Sequence, residues 1–101
     1  MSRFGITKHP ADVLKAIALK HRNLRKAQGY SQSELARRSG VSYGSIKRFE
    51  TTGQIALESL LKLALLLDRL EDFDPVFKED ENLKEIEKLF SDKTRANGKR
   101  K

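Results

Sequence analysis

A chain of 101 residues, 38% of them hydrophobic, can form one small helical domain and little more. It contains no cysteine, which excludes disulfide bonds and thiolate metal sites. No apolar run approaches the roughly 18 residues of a membrane-spanning helix, so we expect a soluble, cytoplasmic protein.

The net charge of +7 is unevenly distributed along the chain. Residues 1–55 contain eleven Lys or Arg against three Asp or Glu, which gives +8. Residues 56–90 contain five against ten (−5), and residues 91–101 contain five against one (+4). A basic first half indicates a polyanionic partner, because a nucleic-acid-binding face concentrates its cations.

The first helix is predicted from Pro10 to about Gln28. Residues 1–9 lack periodicity and are expected to form a flexible arm, whereas Pro10 suits the first turn of a helix. Gly29 ends the helix. Apolar or weakly polar residues recur at helical spacing along it, at Leu14, Ile17, Ala18, His21 and Leu24.

Two short helices joined by one glycine are predicted between Ser31 and Phe49. Ser31 and Glu34 have the spacing of a capping box, in which each side chain binds a backbone N–H of the other residue. Gly40 tolerates the positive φ that ends a helix and turns the chain. Ser42 suits the start of the next helix, predicted over 43–51.

The second of these helices has one inward and one outward side. Ile46 and Phe49 lie three residues apart and point inward together. The residues left outside are Tyr43, Gly44, Lys47 and Arg48. An exposed cationic helix face beside a tight helix-turn-helix is typical of proteins that enter a DNA groove.

This order of residues resembles the Cro/CI-type (Xre-like) helix-turn-helix family, which includes HipB-like antitoxins. The resemblance runs from about Ile17 to Leu67 and rests on residues that match in register: Gln32, Leu35, Ala36, Gly40, Val41, Ser42, Ser45, Ile46, Glu50 and Gly53. It implies an all-α, compact five-helix domain of the lambda repressor-like fold, which we place at residues 10–74. It also implies that Arg25 and Glu50 form a structural ion pair, and that Gln32 binds a phosphate.

The next predicted helix, Ala56 to Leu67, contains seven leucines around nearly its whole circumference. It is either enclosed between the helix-turn-helix and a later helix, or it also forms a dimer interface, and the two interpretations are compatible. A short helix near residues 70–73 follows. We expect the dimer or partner surface to include Leu65, Leu66, Phe73 and Phe77.

The C-terminal part is predicted to be an extension followed by a tail. Residues 75–90 form the extension, with an amphipathic helix over 82–90 that carries Leu83, Ile86, Leu89 and Phe90. Residues 91–101 have no apolar residue larger than alanine, so we expect a disordered basic tail.

The helix predicted over 43–51 is the recognition helix, and its outward residues are the candidates for base reading. Arg48 can donate two hydrogen bonds to a guanine, and Tyr43 can contact a thymine methyl group or a phosphate. Lys47 points about 100° away from Arg48 and can also reach a phosphate. Gly44 either allows a close approach to the bases or only weakens the first helical turn.

Phosphate contacts are expected around the recognition helix. The helix that begins at Gln32, before the turn at Gly40, offers backbone N–H groups at its start as well as the Gln32 amide. Ser42 and Ser45 are either phosphate ligands or a cap and a packing residue. Thr51, at the end of the recognition helix, and Gln54, after it, complete the candidates.

No enzyme, cofactor or metal site is expected. His9 and His21 lack the spacing of metal ligands, and no phosphate-loop glycine pattern is present. The acidic run from Asp68 to Asp74 lacks the glycine and the terminal glutamate of a calcium loop.

Three functions follow from these patterns. The first is a sequence-specific transcriptional regulator, a repressor acting as a homodimer on a two-fold operator of double-stranded DNA in the nucleoid. The second is a HipB-like antitoxin of a type II toxin–antitoxin module, which binds DNA to regulate its own operon and binds a toxin protein. The acidic segment 68–87 and the basic tail 91–101 are the candidate toxin contacts, or else a solvated surface and a flexible end. The third is a protein-interaction module that does not bind DNA.

Overall fold

The computed structural model describes residues 8–79 and 85–91. Its elements are α1 (Pro10–Ala27), α2 (Gln32–Ser39), α3 (Tyr43–Thr52), α4 (Leu57–Leu66), a 3₁₀ helix (Leu70–Phe73) and a helical segment at 85–91. These residues contain no strand, and the predicted all-α class is confirmed. Residues 1–7 of the predicted arm, residues 82–84 of the last predicted helix and residues 92–101 of the predicted tail lie outside the described residues.

The chain divides into two compact units, residues 1–71 and 72–101. The first contains α1 to α4, and the second contains the helical segment 85–91. Over residues 8–79 and 85–91, no helix combines the length and the apolarity needed to cross a bilayer.

The helix α1 begins at Pro10 as predicted, and His9, which the sequence placed in the arm, forms its N-cap. His9 Nδ1 accepts a hydrogen bond from the Ala11 backbone N–H at 3.3 Å, and the His9 N–H donates to Asp12 Oδ2 at 3.4 Å. The imidazole therefore acts as the N-cap in place of the usual hydroxyl or carboxylate. The helix then runs 18 residues and ends before Gly29, which has a φ of +85°.

The turn between α2 and α3 is built by its caps. Ser31 Oγ accepts from the Glu34 N–H at 3.0 Å, but the reciprocal half of the predicted capping box is replaced. The Glu34 carboxylate instead binds Arg37 and Arg38, which lie one turn further along α2. Gly40 then adopts a left-handed φ of +82°, which turns the chain toward α3.

The core lies where α3 packs against α1 and α2, and α2 packs against α4. The largest buried side chains are Leu35, Ile46, Phe49, Leu63 and Leu67. Gly53 closes α3 with a φ of +87°. A Cβ at Gly53 would lie 2.8 Å from Leu14 Cβ and 2.9 Å from the Leu14 backbone, so α1 and the end of α3 meet without room for a side chain.

The leucines of α4 and of its C-cap, Leu67, separate into two groups. Leu63 and Leu67 are buried, and Leu60 and Leu66 pack against the core. Leu65 is 65% exposed. The 100° step between neighbours turns Leu66 toward the core, where it is partly buried, so a partner surface that includes both Leu65 and Leu66 stays a prediction.

Candidate DNA-binding surface

The outward side of α3 is open to solvent. Tyr43, Gly44, Lys47 and Arg48 are exposed, whereas Ile46 is fully buried on the opposite side. Lys47 Nζ lies 6.0 Å from the centre of the Tyr43 ring, at the limit of a cation–π contact. The face thus presents two cations and one aromatic ring on a helix whose inward side is fixed in the core.

Gly44 lies in the first turn of α3 with open space around it. A Cβ built there meets no protein atom within 4 Å, and its backbone is helical. Packing and φ therefore give no reason for glycine at this position, although glycine in a helix costs roughly 0.5–1 kcal/mol relative to alanine.

A hydrogen bond joins the side chains of Arg48 and Gln54 on the surface. Arg48 Nη2 donates to Gln54 Oε1 at 2.7 Å, and the Gln54 backbone N–H donates to Thr52 Oγ1 at 3.1 Å. Because arginine has five N–H donors, its guanidinium keeps donors for another partner. Both side chains line a groove of about 300 Å³ between α3 and the start of α4, together with Ser45, Ile55, Ala56 and Ser59.

The hydroxyl groups around α3 differ in how many of their hydrogen-bonding positions are used within the protein. Ser42 Oγ accepts from the Ser45 N–H at 3.1 Å and donates to Ser45 Oγ at 2.8 Å, so Ser42 serves as the cap of α3. Ser45 accepts that hydroxyl proton, which leaves its own O–H for another acceptor. Thr51 Oγ1 donates to the Lys47 carbonyl at 2.8 Å, so its single proton is used inside the helix.

Beneath this surface lies a buried carboxylate, Glu50, that joins α1, α2 and α3. It accepts from Arg25 Nε at 2.8 Å and from Arg25 Nη2 at 2.9 Å, which makes a bidentate pair. The two side chains are 3% and 7% exposed. Arg25 also donates to the Tyr30 carbonyl at 2.8 Å, so the guanidinium fixes both α3 and the connection after α1.

Gln32, the predicted phosphate ligand, reaches the same carboxylate. Its Nε2 donates to Glu50 Oε1 at 2.9 Å. The amide nitrogen has a second hydrogen, and Gln32 is only half-buried at the first position of α2. The structure therefore links the predicted phosphate ligand to the buried pair.

His21 is the member of this network that the sequence did not reveal. Its Nδ1 lies 2.8 Å from Glu50 Oε2 without a well-directed hydrogen bond, and its ring meets Phe49 edge-on at 5.0 Å between centroids. The residue is 7% exposed. Its position one turn before Arg25 on the same face of α1 was the available signal.

Burial and charge shift the pKa values in this network. Burial lowers the pKa of His21 below its usual 6.5, although the nearby Glu50 carboxylate opposes that shift. Burial by itself would raise the pKa of Glu50, but the hydrogen bonds from Arg25 and Gln32 and the charge of Arg25 outweigh it and lower the pKa below 4.5. At neutral pH the centre is thus a carboxylate with its arginine and a neutral imidazole.

Across residues 8–79 and 85–91, no three His, Asp or Glu side chains come together as a metal site would require. A comparison with protein-family models matches residues 22–73 to the Helix-turn-helix family of Xre/Cro-like proteins. The matched residues run from the second half of α1 to the end of the 3₁₀ helix. No curated protein and no solved structure matches the chain.

Proposed function

Because the chain belongs to the Xre/Cro-like helix-turn-helix family of DNA-binding transcription regulators, we propose that it is a repressor that binds a two-fold operator as a homodimer. One short helix contacts only a few base pairs, too few to select a site in a genome. Two copies on half-sites about one helical turn apart supply the missing selectivity. The protein then acts in the cytoplasm, on the nucleoid.

The open cationic face of α3 is the observation that supports this proposal most strongly. With α3 in the major groove, Arg48 donates to guanine O6 and N7, and Gln54 holds the guanidinium in position from behind. Tyr43 and Lys47 contact the flanking base edges or phosphates. Gly44 removes the side chain that would separate the first turn of α3 from the base pairs.

The phosphate contacts fix the register of the helix on the duplex without reading sequence. Gln32 supplies its second amide N–H together with the backbone at the start of α2. Ser45 supplies its free hydroxyl proton. The buried network of Glu50, Arg25 and His21 keeps α2 and α3 at the angle at which both sets of contacts form together.

A binding experiment separates base reading from phosphate binding. The test is fluorescence anisotropy of a labelled duplex from the DNA upstream of the protein's own gene, at several salt concentrations. Arg48→Ala should weaken preference at one base pair, whereas Gln32→Ala should weaken binding to all sequences alike. Lys20→Ala, which removes an exposed cation from α1, is the control and should leave both properties unchanged. Equal effects of the first two variants would contradict the division of roles.

The alternative function is an antitoxin, and it draws on the acidic segment of the second unit. Phe77 is 95% exposed with a φ of +55°, and the neighbouring Val76 is 54% exposed. Phe73 is half-buried. Exposed apolar side chains of this kind suit a protein partner. Co-expression with the product of the adjacent gene tests this function: a stable complex that Phe77→Ser disrupts supports an antitoxin, and free protein contradicts it.

The third interpretation, a protein-interaction module without DNA binding, makes the opposite prediction in the anisotropy experiment. A folded protein that binds no duplex at low salt would favour that module.

A further inference from the structure

The outer side of α4 carries a second apolar stripe that the core does not use. Leu57 and Leu65 are 64% and 65% exposed, and Leu61 between them is half-buried. The three residues are spaced four apart, so they lie in one row along the helix. Leu60, Leu63 and Leu66 face the other way and contact the core, as does Leu67 at the C-cap of α4.

Two opposite charges lie along one edge of this stripe. Glu58 and Lys62 are both exposed and lie 3.9 Å apart within α4. At 100° per residue, each falls on the same side of the line through Leu57, Leu61 and Leu65. The edge therefore carries a negative group toward the start of the helix and a positive group toward its end.

We infer that this face pairs with the same face of a second copy, the two α4 helices lying antiparallel about a two-fold axis at Leu61. This inference rests on the proposed homodimer and assigns its surface. The axis places Leu61 against Leu61 of the partner subunit, and Leu57 against Leu65 of the partner subunit. Such an isologous contact is the usual form of a dimer interface.

The charges favour a second copy over other occupants. In an antiparallel pair about a two-fold axis, the same edge of both helices lies on the same side of the interface. Glu58 therefore lies beside Lys62 of the partner subunit, offset by two residues or about 3 Å along the helix. Each protomer places a negative Glu58 beside the positive Lys62 of the other, so the charges of the face are complementary to those of the same face on a second copy.

The pairing should be weak in solution and stronger on DNA. A stripe of three leucines is short compared with the roughly 800 Å² per partner of a stable interface. Two half-sites on one duplex raise the effective concentration of the two copies and favour the contact. The face therefore calls for an experiment that captures a transient dimer.

Disulfide trapping suits this chain because it has no cysteine of its own. In the full chain, Leu61→Cys should form a disulfide-linked dimer under mild oxidation without DNA, because the residue lies on the axis. Leu57→Cys and Leu65→Cys, both at exposed positions, should cross-link to each other when mixed and far less when each is oxidised alone. Leu19→Cys, at a 55% exposed leucine of α1, is the control and should stay monomeric.

Charge exchange provides a second test that does not alter the leucines. Glu58→Lys carries two positive charges along the edge, and Lys62→Glu carries two negative charges. Both proteins also carry Leu61→Cys and are mixed in equal amounts. The heterodimer should then make up more than half of all cross-linked dimers, the fraction that random pairing would give. If the two charges acted only within one helix, the mixture would pair at random and the inference would be wrong.

Two other results would overturn the pairing. One is cross-linking of Leu61→Cys no greater than that of Leu19→Cys. The other is an intramolecular disulfide in the double variant Leu65→Cys, Leu89→Cys, which would show that the chain's own segment 85–91 covers the stripe. Anisotropy on the same preparations separates this inference from the proposed function: DNA binding without cross-linking rejects only the α4 pairing, and cross-linking without DNA binding rejects only the repressor.

Discussion

Replacing Glu50 by alanine removes the group on which the buried network depends. The carboxylate accepts both Arg25 bonds at 2.8 and 2.9 Å and the Gln32 bond at 2.9 Å, and it lies beside His21. In Glu50→Ala the Arg25 cation stays almost fully buried without its counter-charge. Leaving one partner of a buried pair in this state costs about 3–5 kcal/mol.

A surface pair of the same charge type provides the matched control. Glu58 and Lys62 are 84% and 53% exposed at a separation of 3.9 Å, so in dilute solution, where the weak α4 pairing does not form, Glu58→Ala should cost about 0.3–0.5 kcal/mol. The double variant Arg25→Met, Glu50→Leu replaces both charges by apolar groups. It should recover most of the stability that Glu50→Ala loses, because no charge is then left buried.

Urea unfolding followed by circular dichroism at pH 7 measures all three variants. A loss of 3–5 kcal/mol is a large share of the 5–15 kcal/mol that small domains typically have, so Glu50→Ala should unfold at a much lower urea concentration. A loss below about 1 kcal/mol, similar to that of Glu58→Ala, would refute the reasoning. A double variant no more stable than Glu50→Ala would show that the loss comes from altered packing and not from the unpaired charge.

Three further predictions concern single positions. Gly53→Ala should lower the free energy of unfolding by more than the roughly 1–2 kcal/mol that a left-handed alanine costs, because its Cβ would also meet the Leu14 backbone at 2.9 Å. Gly40→Ala, with a φ of +82° and open space around it, is the control and should show only the cost of the left-handed backbone in the same urea experiment. Gly44→Ala should raise stability by about 0.5–1 kcal/mol yet weaken DNA binding, and an unchanged Kd in the anisotropy experiment would exclude a role for close approach. Because the folded-state pKa of His21 is lowered, the unfolded chain takes up a proton that the folded chain resists, so stability should fall as the pH falls below about 6.5. In the range just below 6.5, above the range in which Glu50 titrates, His21→Gln should make the urea midpoint nearly independent of pH. A slope equal to that of the wild type in this range would contradict the assignment.

Local signals in the sequence were sufficient for the helices around the turn. Ser31, Gly40 and Ser42 each act on backbone groups within a few residues, and the structure shows their caps and the left-handed turn at the predicted positions. Glu34 was mispredicted because two arginines one turn away compete with the backbone N–H for its carboxylate. His9 was missed because an imidazole is an uncommon cap.

Features that depend on tertiary contacts were harder to predict from the sequence. Periodicity placed His21 on the buried side of α1, but it does not show that a carboxylate from α3 lies 2.8 Å away. Likewise, both Leu65 and Leu66 are apolar, so the pattern alone could not separate the exposed leucine from the one that packs on the core. The same holds for Gln54, whose bond to Arg48 depends on how the chain turns after Gly53.

Guanine methylation interference tests the entry of α3 into the major groove most directly, since the N7 methyl group blocks the atom that Arg48 would bind. For the wild-type protein we predict that methylation of one guanine in each half-site prevents binding, and that Arg48→Ala no longer discriminates at that guanine. Binding that tolerates every N7 methyl group and is blocked only by methylation of adenine N3 in the minor groove would contradict this orientation of the protein.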